Sequence, residues 1–285
     1  MKTRLSIVLL SVAVVGFAIG QDDYLMRREL KDGAKDSYKV STKVVQTMTP
    51  SDPNQGALLG GEMRFDMSMS MDMASSIQRI AEDGRSADFE LNFSNIVYDM
   101  GAMAGMVPQD SLPKAMKATG RVDDRSRLLE MKMPDLPAAL AGSQGMAGPL
   151  MVELPEKPVK IGDTWDMPLP TAETLGAKDA KIAAKLVRLE DYEGIPAYYI
   201  ELVSSIPIDA DLSKAAEASG APPMKVLAKG KFDMKGSAYV ERATGRTLKM
   251  QVTFDTTSHV TMPEMGVEFD SVGSGTSLVQ IVINK

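Results

Sequence analysis

"EMRFDMSMSMDM", residues 62–73, places Met63, Phe65, Met67, Met69, Met71 and Met73 on one phase, with Arg64, Asp66, Ser68, Ser70 and Asp72 between them. Successive side chains of a β-strand point to opposite faces, so this alternation describes a strand with one apolar and one wet face. The same division recurs in Tyr38, Val40, Val44 and Met48, and in Ala87, Phe89, Leu91 and Phe93. Phe232, Met234, Ala238 and Val240 repeat it, as do Leu248, Met250, Val252 and Phe254. Parallel sheets covered on both faces give continuous apolar runs instead. The pattern therefore predicts a mainly β chain of long antiparallel strands, arranged as a curved sheet, half-barrel or sandwich with a few short helices.

Two such helices are expected, at 211–220 ("DLSKAAEASG", with a capping Asp211 and terminal Gly220) and at 109–118. The pairs Glu82-Asp83, Asp123-Asp124 and Glu190-Asp191 read as hairpin turns, where acidic residues favour the local geometry. Hairpins at 79–96 and 188–206 are each followed by a loop and a charged turn containing Arg-x-Leu, which suggests two similar β units. The reading divides the chain into a leader (1–20), a first unit (21–133), a Pro/Gly/Ala-rich linker or crossover (134–158) with a helical piece near 138–144, and a second unit (159–285).

The leader, "MKTRLSIVLLSVAVVGFAIG", has a basic start, an apolar run and small residues at Ala18 and Gly20, the pattern of a secretory signal. The expected location is the periplasm or the exterior, with no membrane span after cleavage. There is no cysteine, which excludes a lipidated cysteine, disulfides and thiolate chemistry. Loss of Lys2 and Arg4 with the leader takes the net charge from −6 to −8, which argues against nucleic acid as a partner.

Chemistry-bearing constellations are sparse. His259 is the single histidine, so no His-rich zinc site is available and a catalytic triad would need this one residue as its base. "LGGE" and "VGSGTS" lack the Gly-Lys-Ser/Thr ending of a phosphate loop. No catalytic residue and no cofactor are expected. Thioethers suit Cu(I), and Met67, Met69 and Met71 with Met100, Met103 and Met106 form an alternative metal set. Same-face strand residues stand about 6.6 Å apart, however, and methionine also fills irregular cores and adaptable binding walls.

"LPEKPVKIGDTWDMPLP", 154–170, resembles a segment of exported, β-rich bacterial proteins of uncharacterised function in which hydrophobic-x-hydrophobic-Gly-Asp-x-Trp opens the second half. Val159, Ile161, Gly162, Asp163 and Trp165 carry the match, and "ERATGRTLKM", 241–250, resembles their downstream hairpin. Many of those proteins are lipoproteins, whereas this chain has no cysteine to lipidate. The resemblance implies no catalytic residues; physically, Gly162 and Asp163 make a turn and Trp165 an anchor. The expected architecture is similar to the open half-barrels of periplasmic lipoprotein carriers.

These features lead to an exported, non-enzymatic protein that binds a lipid or other apolar ligand. Its expected wall is Met67, Met69, Met71, Met73, Phe89, Phe93, Met250 and Phe254, with 100–118 and 207–224 as lids. The alternatives are an envelope module with a methionine-rich core that binds a protein partner, and Cu(I) binding.

Overall fold

The strands follow from the alternation. In the computed structural model, which describes residues 22–52, 61–101, 112–132, 151–169, 176–177, 179–213, 217 and 223–283, they form one antiparallel sheet. In chain order they are β1 (Lys35–Pro50), β2 (Met63–Ile80), β3 (Ser86–Asp99), β4 (Met116–Asp123), β5 (Leu128–Lys132), β6 (Thr164–Pro168), β7 (Lys181–Tyr192), β8 (Ile195–Asp211), β9 (Leu227–Glu241), β10 (Thr247–Met262) and β11 (Val267–Ile281). Their spatial order is β5-β4-β3-β2-β1-β11-β10-β9-β8-β7-β6, a curved sheet that does not close. One main apolar cluster gathers Val40, Met73 and Phe89 from one half with Ile200, Met234 and Met250 from the other. The apolar phase of every long strand thus shares a concave interior.

The sheet order contains a repeat. β1 to β5 and β6 to β10 are two five-stranded meanders running the same way across the sheet, and β11 joins β1 to β10. Hydrogen bonds match between them. Gly33 (φ 72°) sits in a turn where the Ala34 amide donates to Lys31 O, and Gly162 (φ 100°) in one where the Asp163 amide donates to Lys160 O. Gly33 exchanges bonds with Ile77 through its own amide and Ala34 O, as Gly162 does with Leu186 through its amide and Asp163 O. A register shift follows in both copies, between Ile77 and Arg79 and between Leu186 and Arg188. The left-handed φ of each turn is what glycine supplies at no steric cost.

Two sequence expectations change. Glu190 and Asp191 lie inside β7, and the hairpin turns at Glu193-Gly194, whose φ angles of 51° and 85° fit the primed turn that matches strand twist. Residues 116–118 of the expected 109–118 helix belong to β4, because Met116 and Ala118 continue an alternation that the short helical reading ignored. In the 211–220 segment, Asp211 ends β8 and its carboxylate accepts the Ser213 amide at 3.0 Å, with Ser213 and Glu217 helical. The leader, the 138–144 piece, Met103 and Met106 lie outside the described residues, as does much of both expected lids.

The two ends of the sheet differ. Tight turns at 81–85, 124–127, 193–194 and 242–246 gather at one end, and β1, β3, β6 and β8 finish at the other. Residues 22–34 and 151–163 cross the tight-turn end and pair antiparallel at Tyr24 and Val159. Arg28 N donates to Asp124 O, Glu29 N to Thr244 O and Leu154 N to Arg125 O, at 2.6–2.7 Å. Met26, Val152 and Leu154 are buried beneath them. A charged chain, Arg28–Asp36–Arg246–Glu241, completes the seal with contacts of 3.0, 3.2 and 2.6 Å. Among the described residues no helix is long and apolar enough to cross a membrane.

Candidate functional site

Alternation assigns a side chain to a face but says nothing of its depth along the strand. On β2 the apolar phase is graded: Met73 and Met71 are 3% and 8% exposed, whereas Met69, Met67, Phe65 and Met63 are half-buried. The gradient runs from the sealed end to the open end. Antiparallel pairing carries it to β1, where Val44 faces Met67, Gln46 faces Phe65 and Met48 faces Met63.

The expected wall residues therefore separate by depth. Met73, Phe89, Phe93 and Met250 lie in the main core, Met71 and Phe254 at its upper margin, and Met67 and Met69 on the half-open surface above. Phe254 lies over Gly275, where an added Cβ would come within 2.2 Å of its ring, and stacks with Phe232 at 6.0 Å. Met67 and Tyr98 also pack on a small cluster of Met100 and Leu112. Burial pushes the Tyr98 phenol above its ordinary range. The concave surface near the open end thus presents Met63, Phe65, Met67 and Met69 from β2 and Phe232 from β9, while Ile208, Ala210, Val260 and Phe269 at the same end of β8, β10 and β11 are buried in a second apolar cluster.

A polar strip on the same face went unseen in the sequence. Register places Gln46 on β1 opposite Gly273 on β11, and Gly273 opposite Thr256 on β10; Met48, Ser271 and Ser258 form the next row. Gln46 Nε2 donates to Ser271 Oγ at 2.9 Å, and Thr42 Oγ1 to Ser277 Oγ at 3.3 Å. Carrying the phase of Leu248 to Phe254 forward through Thr256 and Ser258 to Val260 would have found it.

The remaining candidates have visible local roles. Trp165 on β6 donates its indole N–H to Glu153 O at 2.8 Å, and Asp163 Oδ2 accepts the Lys160 amide at 2.8 Å within the turn at Gly162. Glu153 pairs with Arg125 at 2.8 Å, yet its burial pushes the carboxyl above the usual range. Asp83 accepts the Arg85 amide, and Asp123 the Arg125 and Arg127 amides, at 2.9 Å each. His259 is exposed on the outer face of β10, 2.9 Å from Asp270. Among the described residues no group of three His, Asp or Glu is placed to hold a metal ion. Grooves of about 540 and 500 Å³ lie beside the two equivalent turns, at Pro155–Trp165 and at Asp32–Ser37, away from the methionine face.

No protein-family profile and no curated protein match the chain. Similar solved structures include DynF from the dynemicin biosynthesis pathway of Micromonospora chersina, at 7% identity, with 95% of this chain and 92% of that one covered and a TM-score of 0.22. A BenF-like porin from Pseudomonas fluorescens has 9% identity, coverage of 89% and 100%, and a TM-score of 0.29. A DUF1329 family protein from Desulfovibrio piger has 10% identity, 87% coverage of each chain and a TM-score of 0.17. None of the three superposes closely enough to assign this chain a ligand or a partner.

Proposed function

We propose that this chain is an exported, non-enzymatic carrier whose concave sheet receives an acyl chain or similar apolar group at its open end. The observation that supports this most is the burial gradient along one face of β2, from sealed Met73 to half-open Met63. A filled core would bury the whole phase alike. Met63 to Met69 spans about 20 Å of strand at ~3.4 Å per residue, a track long enough for an extended chain. Thioethers repack around ligands of varied shape, which suits methionine to such a wall. The leader sequence supports export.

Native mass spectrometry of the mature protein from an exporting host, followed by organic extraction, tests this reading. A stoichiometric lipid supports it. A clean apo mass that is unchanged after incubation with lipids contradicts it.

A second reading, a protein-interaction module of the envelope, is favoured by β5. This edge strand carries Leu128, Leu129 and Met131 at 46%, 46% and 39% exposure, and an open strand edge is a template for another chain.

A further inference from the structure

We propose that the polar strip on the concave face is a seat for an uncharged, hydrogen-bonding head group, so that the ligand is a neutral acyl glyceride rather than a fatty-acid anion or an anionic phospholipid. The inference rests on the carrier reading above and adds the ligand's chemical class.

Charge on the face is the first argument. From Tyr38 to Met48 on β1, the inward phase is Tyr, Val, Thr, Val, Gln and Met; on β2, from Met63 to Ile77, it holds no ionisable group. Alternate residues from Ala228 to Val240 on β9, from Leu248 to Met262 on β10 and from Val267 to Ile281 on β11 are also uncharged. The charged groups Arg28, Asp36, Arg246 and Glu241 pair with one another at the sealed end. A carboxylate or phosphate brought onto this face would lose water and, among the described residues, meet no cation on the inward phase of these five strands, a penalty that a neutral group escapes.

Hydrogen-bonding capacity is the second. Gln46, Thr256, Ser258 and Ser271 lie within two adjacent rows across three neighbouring strands. Thr256 and Ser258 are half-buried residues whose hydroxyls form no side-chain hydrogen bond among the described residues and are not sealed from water. Hydroxyls that keep contact with water and have no protein partner are free to receive glycerol hydroxyls or an ester carbonyl.

Placement is the third argument. Between Ser271 and Ser277, β11 presents only Gly273 and Gly275 to this face. Thr256 Oγ1 lies over Gly273, 2.5 Å from where a Cβ would stand, and the Phe254 ring lies over Gly275. The Thr256 and Phe254 side chains therefore fill the space that the two glycines leave, and the methionine track of β2 lies three strands from Thr256, roughly 14 Å at ~4.8 Å per strand. One molecule laid across both would place its chain on Met63 to Met69 and its head at Thr256 and Ser258.

The test is calorimetric titration of the mature protein with 1-monooleoylglycerol and, separately, with oleate, which share one acyl chain and differ in head-group charge. Wild type is expected to bind the glyceride at least tenfold more tightly. The Thr256→Val/Ser258→Ala variant keeps shape but removes both hydroxyls, and is expected to lose tenfold or more for the glyceride and little for oleate. Thr256→Ser is expected to retain binding, and circular dichroism checks that each variant is folded. Equal affinity for the two lipids, or a folded double variant that binds the glyceride as wild type does, overturns the seat and leaves the carrier reading standing. Failure of wild type to bind either lipid overturns both.

Discussion

Gly273→Ala, taken with Thr256→Ala, measures whether the Thr256 hydroxyl occupies the place assigned to it. Gly273 lies in extended backbone of β11 that alanine adopts without strain, so the substitution by itself favours folding by about 0.4–1 kcal/mol through the unfolded chain. Against this, the new methyl meets Thr256 Oγ1 at 2.5 Å, while its next neighbours stand at 3.7 and 3.9 Å. Thr256 is β-branched and stiff about χ1, so its escape is a change of rotamer or a shift of the strand, and overpacking of this kind costs roughly 1–3 kcal/mol. Gly273→Ala should therefore destabilise the wild type by about 1 kcal/mol, yet stabilise the Thr256→Ala protein by about 0.5 kcal/mol. Urea denaturation of the four proteins gives the coupling energy directly. Equal effects of Gly273→Ala in both backgrounds, within about 0.5 kcal/mol, would refute the placement and with it the seat.

Other outcomes follow from the sealed end. Gly245 has φ 66°, and a Cβ there would meet Arg27 O at 2.1 Å; its three nearest neighbours are all backbone atoms, so Gly245→Ala should destabilise by ~2 kcal/mol or more and expose residues 22–34 to protease. Trp165→Phe keeps the ring's bulk but strands Glu153 O, which should cost about 1–3 kcal/mol in chemical denaturation. Burial first, and Asp36 second, push the Tyr38 phenol up to about 12, although nearby Arg28 favours its ionised form. The Tyr38 hydroxyl and Arg28 Nη1 form no hydrogen bond among the described residues. The unfolded chain ionises this group near 10; its contribution is complete below that pH and is lost as pH rises toward 12, by about 2–3 kcal/mol in all. Tyr38→Phe should flatten that part of the stability profile, and an unchanged slope would show that the phenol is not buried as described.

The strands were legible where one phase is apolar throughout, as in β2 from Met63 to Met73 and β10 from Leu248 to Phe254. Legibility failed where both phases are polar. Beyond Phe254, Asp255, Thr257 and His259 face water while Thr256 and Ser258 face inward, so hydrophobicity carries no period there. Gln46 and Thr42 are hidden on β1 for the same reason. Depth was equally unreadable, since Met67 and Met73 share a face and differ only in distance from the sealed end. The Gly162-Asp163 turn stood out through its neighbouring tryptophan; its counterpart at Gly33 has no such marker, and only the matching bonds to Ile77 and Leu186 connect the two.

Methionine-methyl NMR tests the carrier claim most directly, because the chain has labels at both depths. With 13C-methyl methionine in the mature protein, titration with 1-monooleoylglycerol should shift Met48, Met63, Met67 and Met69 and leave Met26, Met73, Met234 and Met250 in place. Shifts spread equally over both groups, or absent from all of them, would contradict a binding face at the open end of the sheet.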